Sequence, residues 1–517
     1  MRFHTSQMFF CYTSIDLKIM PEFVKPERRT APNLDAPVAI TMKKRISRST
    51  FNDRLERMIE EIRRDIVTGK YAVGNYLPSE SALARMYQLS NKSVRKGLER
   101  LVDEGLILKI NRVGNRVIGT GNETAVTVTL GCSESIERDF ELKRLLDDFH
   151  EQHPAIRVKT VKLVNPAGPA NYLQMAEPYL VNGVVDVVTM NHMNFQEFIE
   201  NDCLHMLEPL PADPDVYPFL RESFTFEGVP YVQPLAFSPV VLCYNKEHFR
   251  KAGVPEPDST WTWNDALRVA ERLARPGERF GIYFYLLSEN RWPIFLLQSG
   301  TAFAWDENGE IDISDTPLMD NIRFVKRLID HPYLFPKYLT ESSDDVNQLF
   351  VQEKVSMMLS SYFSLNELKH TTIPYDISLL PYFDRPAALT VMIGMAVSRH
   401  SRRKDAALRL VRYFASRRVQ QFIREETVSI PASKPVAEQV GGEKRKFNRP
   451  PHYSMFREHL PFLRTQKDLN LTNEQFFLVR NLLKKYWSGM IDEQTLCDEI
   501  RKQLRRPDFQ KAAVKEE

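Results

Sequence analysis

Leu77–Val117, LPSESALARMYQLSNKSVRKGLERLVDEGLILKINRVGNRV, carries the pattern helix, tight turn, helix, hairpin. Ser79 lies between Pro78 and Glu80, the chemistry of a helix start: a hydroxyl to accept an orphan backbone N–H and a carboxylate at the positive end of the dipole. Leu83, Met86 and Tyr87 give the first helix an apolar face. Gln88 to Ser90 break it, and Val94, Leu98 and Leu101 recur at helical spacing in a second. That second helix opens with Ser90, Asn91, Lys92, Ser93 and Arg95, side chains able to reach phosphate oxygens and base edges in a major groove. Leu106 to Ile110 and Arg116 to Ile118 then read as two short strands. Asn111, Arg112, Val113, Gly114 and Asn115 form the tip between them, a wing with basic and amide groups.

Upstream, Phe51, Leu55, Met58, Ile59, Ile62 and Ile66 make one amphipathic stripe ending near Gly69, the third helix that lets such a reader bury a core. Met1 to Met42 has no periodic apolar pattern and contains Pro21, Pro26, Pro32 and Pro37, as expected of a poorly ordered tail. Translation from Met42 is an alternative start. The apolar cluster Met8 to Tyr12 is too short for a secretion leader and no later run approaches a membrane span, so the cytoplasm is the expected location.

Charge follows the same division. The formal net charge is +3, but Lys43 to Ile118 holds 17 Lys+Arg against 9 Asp+Glu, while the chain beyond Ile118 holds 48 against 54. Positive charge concentrated on the reader is what phosphate neutralisation needs, and the acidic remainder should avoid nucleic acid. Five scattered cysteines with no CxxC pair argue for a reducing compartment and against structural zinc.

The order LPSE, LA, SxxSVR, LxxEGL and a glycine-bearing wing resembles the GntR-type winged helix-turn-helix domain of bacterial transcription regulators, over about Ser49 to Gly119. The resemblance places DNA-contacting residues at Ser79, Ser90, Asn91, Lys92, Ser93, Arg95, Arg112, Gly114 and Asn115. Ser81 and Asn91 stand where many relatives have arginine. Gly97 replaces a usual alanine, which inside a helix costs roughly 1 kcal/mol.

Beyond a short hinge at Gly119 to Thr124, strands and helices alternate: Val126 to Leu130, Phe140 to His150, Ile156 to Leu163, Asn171 to Val181, Val184 to Met190, Phe195 to Glu200. Alternation predicts a parallel α/β sheet with ligands beyond the carboxyl ends of its strands. The motifs VDVVTM, CLHMLEPL, YNKEHFRKAGV, FVQEKVSMMLSSYF and KYWSGMIDEQTLCDEIRKQLRR resemble the family 1 extracellular solute-binding proteins that deliver sugars to ABC transporters, from about Thr124 to Arg506. Unlike those relatives, this chain is expected to carry no export signal. The resemblance implies two α/β lobes with a ligand in the cleft, held by aromatic faces and by hydrogen bonds to hydroxyls. Ser133, Glu134, Asn191, Phe237, Trp292, Tyr362 and Gly394 are the ligand candidates; Trp261 and Trp263 are expected to be structural.

The expected architecture is therefore multidomain: an N-terminal α+β winged helix-turn-helix (47–119) and a C-terminal two-lobed α/β periplasmic-binding-protein-like domain (125–508). Tails at 1–46 and 509–517 and a hinge at 120–124 complete it. No HExxH, GxSxG or GxxxxGK[ST] occurs and no lysine sits in a pyridoxal phosphate context, so neither an enzyme, a cofactor nor a metal is expected. The expected partners are a double-stranded DNA operator, a small effector, most simply a carbohydrate, and a second copy of the chain. The alternative is a sensor-like domain acting as a ligand-free dimerisation or docking platform.

Overall fold

The computed structural model describes residues 48–110, 113–118, 125–133, 135–163, 172–331, 334–335, 342–440 and 447–504. The expected tail and hinge lie outside these residues, as do Arg112 and Glu134.

Three helices and a hairpin form the N-terminal unit: α1 (Arg48–Val67), α2 (Glu80–Tyr87), α3 (Asn91–Asp103), β1 (Ile107–Ile110) and β2 (Gly114–Val117). Leu55, Met58, Ile59, Ile62 and Ile66 of α1 are buried against Leu83, Val94, Leu98 and Leu101, so the helical stripe read from sequence is the core of this unit. Both inner helices start as their sequences dictate. Ser79 Oγ accepts from the Ala82 amide at 3.2 Å and Ser90 Oγ from the Ser93 amide at 3.2 Å. Gly97 also has its reason: a Cβ there would stand 2.4 Å from Met58 Cε, so the missing side chain lets α3 lie close on α1. β1 and β2 pair antiparallel, Ile107 with Val117 and Ile110 with Gly114.

The larger unit is built on one curled ten-stranded sheet. β3 (Val126–Cys132), β4 (Ile156–Lys162) and β5 (Val187–Asn191) are parallel, as expected, and alternate with α4 (Ile136–Phe140), α5 (Leu142–Gln152), α6 (Tyr172–Val181) and α7 (His192–Glu200). The expected helix from Phe140 to His150 is α5, shifted by two residues, and α4 ahead of it is a further short helix that the alternation did not show. Glu141 takes a left-handed backbone (φ 56°) with its amide on the Glu137 carbonyl, and this break sets α4 at an angle to α5.

A short hairpin, β6 (Thr225–Phe226) and β7 (Val229–Pro230), precedes the strand that joins the lobes, β8 (Gln233–Asn245). All thirteen of its residues are buried. The strands beyond it are β9 (Phe280–Tyr283), β10 (Val355–Ser361), β11 (Tyr375–Ser378) and β12 (Ala388–Val397). β8 pairs antiparallel with β12 through Pro239, and from Val240 onward antiparallel with β10, then β11. One continuous strand thus starts in the first lobe and ends in the second. β12 lies antiparallel on β5 as well, so the sheet is mixed and not parallel. Strand–helix alternation reports only consecutive units; a strand delivered from two hundred residues away leaves no trace in it.

Gly394 sits where the β12–β8 register shifts, and a Cβ there would meet Val232 Cγ1 at 2.5 Å and the Gln233 carbonyl at 2.6 Å. It serves close backbone approach, not ligand contact. Gly394→Ala is expected to destabilise the fold by about 1–3 kcal/mol, read as a lower urea midpoint; an unchanged midpoint would show that the two strands can part without cost.

Candidate functional site

Two surfaces concern function, and both depend on local capping and on which way neighbouring side chains turn. On α3, Asn91, Lys92 and Arg95 are exposed along one face. No acidic residue occupies the first turn of that helix, so its positive end is open to an anion. Arg95 Nη2 donates to Glu80 Oε2 at 2.9 Å, and Lys109 Nζ stands 3.9 Å from the same carboxylate, so Glu80 holds two cations beside this face.

The remaining DNA candidates play supporting parts. Ser79 and Ser90 are the helix caps, and Ser93 is buried, its hydroxyl 2.7 Å from that of Ser90. Gly114 turns the wing with φ 141°. Asn115 corrects an expectation: only 5% exposed, it points into the unit and away from the tip. Lys96 and Arg116 are exposed cations absent from the candidates. Helical spacing beside Lys92 and Arg95 is the signal that could have found Lys96.

The second surface is a cleft of about 540 Å³ between the lobes. From the first lobe come Ser133 after β3, Ser135, Arg138 and Asp139 of α4, Tyr172 of α6, and Thr189 and Asn191 at the carboxyl end of β5. The second lobe gives Asn290 and, at the start of helix Ser343–Val351, Ser343 and Asp344. Between them, Ser361, Phe363, Ser364 and Glu367 follow β10, and Val391 and Ile393 form part of the wall on β12. This is the crevice beyond strand ends that an α/β sheet offers to ligands.

Its polar groups are held in place. Tyr172 donates to the Thr189 carbonyl at 2.8 Å. Asn191 and Asn194 cap α7 reciprocally, each carboxamide oxygen accepting the other's amide, at 2.8 and 3.1 Å. The centre of the arrangement is Arg138. Its Nε donates to Asp139 Oδ1 at 2.8 Å, and its Nη1 donates to Glu367 Oε1 at 2.7 Å and to Asp344 Oδ1 at 3.1 Å. A guanidinium of one lobe is therefore bonded to a carboxylate of the other. Burial opposes the Arg138 charge, but Asp139 and Glu367 override it and hold the guanidinium above its usual range. Burial lifts the Asp139 carboxyl, and burial followed by Asp344 lifts that of Glu367.

Ser133 and Asn191 line the cleft as expected; three other candidates do not, in addition to Gly394. Phe237 is fully buried, its ring edge-on to Tyr217 and Phe219 at 5.3 and 5.2 Å. Trp292 is fully buried, its ring tilted against Phe476 with centroids 4.6 Å apart. Tyr362 donates to the Tyr453 carbonyl at 3.0 Å, also fully buried. β10 ends at Ser361 and the chain turns at Tyr362, which packs into the core while Ser361 and Phe363 line the cleft; on β12, where successive side chains face opposite ways, Ile393 lines it and Gly394 does not. Trp261 and Trp263 are buried as expected, Trp263 Nε1 donating to Gln298 Oε1 at 2.7 Å.

Beside Asn290, burial lifts the Glu289 carboxyl to about 7, against the pull of Arg480 at 3.7 Å. A folded value above the ordinary 4.5 means that stability is full below pH 4.5 and is lost as pH rises through 7. Glu289→Gln should therefore stabilise the protein by about 2–3 kcal/mol at pH 8 and lose that advantage below pH 4.5. Thermal unfolding at both pH values checks it; parallel curves would contradict it.

Among the described residues no helix is long and apolar enough to cross a membrane, and no group of three His, Cys, Asp or Glu could hold a metal ion. A winged helix-turn-helix joined to two lobes that share a crossing strand and enclose a polar cleft is a regulatory DNA reader fused to a solute-binding fold. The chain belongs to the bacterial extracellular solute-binding protein family, whose model matches residues 135–421, and its residues 55–117 match the bacterial regulatory proteins of the gntR family. Both are families of regulators or solute binders rather than of enzymes.

A Brucella abortus protein named as a binding protein is 27% identical over 169 residues, 32% of this chain and 40% of its own length. The chain thus spans two fifths of that relative. The multiple sugar-binding protein of Streptococcus mutans is 21% identical over 305 residues, 55% of this chain and 70% of its own. Maltose-bound MalE3 of T. maritima shares the fold at 18% identity and a TM-score of 0.63, over 74% of this chain and 99% of its own.

Proposed function

We propose that this protein is a cytoplasmic one-component transcription regulator in which the winged helix (47–119) binds an operator and the two-lobed domain (125–508) senses a carbohydrate. The observation that carries the reading is the polar interlobe cleft in the same chain as the exposed Asn91, Lys92 and Arg95 of α3. Relatives named for sugar binding support the ligand class. The ligand-contacting set is Ser133, Asn191, Asn194, Tyr172, Asn290, Phe363 and the Arg138 cluster, with Phe363 and Tyr172 as the aromatic surfaces.

The mechanism follows from the crossing strand. Lobes joined through β8 can rotate about its middle, near Pro239, where pairing passes from β12 to β10. A sugar that bridges them favours the closed state by its differential affinity alone. In a homodimer on two half-sites, spaced by multiples of roughly 34 Å along the duplex, closure alters the separation of the paired readers and hence operator affinity.

Thermal unfolding against a panel of mono- and disaccharides tests the reading. A native-state binder at about 100 Kd stabilises by roughly 2.7 kcal/mol, so one clear upward shift is expected. No shift across the panel would favour a docking platform without a ligand.

A further inference from the structure

The cleft has a charge character that narrows its ligand. Among the described lining residues there is one cation, Arg138, against three carboxylates, Asp139, Asp344 and Glu367. That cation is not waiting for an anion: three of its hydrogen bonds already end on those three carboxylates. The rest of the wall is neutral and suited to hydroxyls, with five serines, three asparagines, Thr189 and Tyr172, and the apolar faces of Phe363, Val391 and Ile393.

We propose that the cleft takes a carbohydrate free of phosphate and carboxylate groups, and that Asp344 and Glu367 are the residues that reject the phosphorylated forms of the same sugar. This rests on the sugar-sensing reading above and adds to it the charge class of the ligand and the residues that enforce it. A phosphate monoester brings about −1.5 to −2 charges at neutral pH. Entering here, it must either approach two carboxylates without a counter-charge or detach Arg138 from them, and detachment leaves Asp139, only 1% exposed, without its ion pair. Juxtaposed like charges are how a site discriminates between ligands that its neutral contacts cannot tell apart. A neutral sugar meets none of these penalties and finds the hydroxyls and amides in place. For a sensor inside a cell, the consequence is a distinction between a free sugar and its phosphorylated product. The class of reaction that removes the signal is then phosphorylation of that sugar.

The test uses matched probes on the full-length protein: maltose, sucrose and trehalose against maltose 6′-phosphate, sucrose 6-phosphate and trehalose 6-phosphate, by thermal unfolding and calorimetry. A neutral member is expected to bind with its phosphorylated twin at least tenfold weaker. Asp344→Asn, whose side chain is 58% exposed and whose loss the fold should tolerate, and then Asp344→Asn with Glu367→Gln should raise the ratio of phosphorylated to neutral affinity, the double variant by tenfold or more. A phosphorylated sugar that binds wild type as tightly as its neutral twin overturns the inference and leaves the sugar reading standing. So does a ratio unmoved by the double variant. If neither member of any pair binds, the sugar-sensing reading falls and takes this inference with it.

Discussion

Arg138→Ala is expected to cost the fold about 3–5 kcal/mol, the price of leaving a buried carboxylate without its partner. Asp139 is 1% exposed and has Arg138 as its ion-pair partner, and the same guanidinium offsets Glu367 and Asp344. Removing it leaves three carboxylates crowded at one end of the cleft. The Asp139 and Glu367 carboxyls, already raised by burial, rise further without the guanidinium, so the deficit is full at neutral pH and shrinks as acid protonates them. Urea unfolding at pH 7.5 and pH 4 reads both effects. Arg138→Lys should recover only part of the loss, because one ammonium cannot reproduce a planar fork that reaches three acceptors. An alanine variant with an unchanged midpoint at pH 7.5 would show that the cluster contributes no net stability.

Lys92→Ala and Arg95→Ala should each cost about 1–3 kcal/mol in affinity for DNA, by different routes. Lys92 is exposed in the first turn of α3; if it meets a phosphate, as proposed, its loss should weaken binding to all sequences and lower the salt slope by about one. Arg95 lies a turn further along and is held by Glu80 at 2.9 Å, which orients its fork before contact. Its loss should relax sequence preference. Anisotropy titrations on a duplex selected by wild-type protein from a random pool, at two salt concentrations, separate these outcomes. Equal losses on selected and scrambled duplexes for Arg95→Ala would place it on the backbone instead. Neither side chain is buried, so both variants should fold normally.

How much of this was legible in the sequence depended on the range of the signal. The winged helix is local: an apolar stripe on α1, two serine caps and a glycine at the wing are each set within a few residues, and the structure has all of them. The cleft is assembled from segments as far apart as Ser133 and Ile393, and position along a strand could not say which of two neighbours faces the ligand. Choosing the aromatic ring put the prediction on Tyr362, one residue from the side chains that line the site. Trp292 and Phe237 were drawn in by the same preference, although large rings serve a core at least as well. Arg138 and Asp139 precede the helix read from Phe140, and α4, five residues long, is too short to show a helical period. The left-handed turn at Glu141 separates α4, which carries them, from α5.

The central claim is that one chain couples occupancy of the cleft to the grip of α3 on DNA. Its most direct test is the affinity of the full-length protein for the selected duplex, measured by anisotropy with and without a saturating neutral sugar identified by thermal unfolding. The account predicts a change of tenfold or more, equivalent to a coupling of about 1.4 kcal/mol, and predicts that the same sugar leaves DNA binding of the isolated 47–119 segment unaltered. Identical titration curves for the full-length protein with and without that sugar would contradict it.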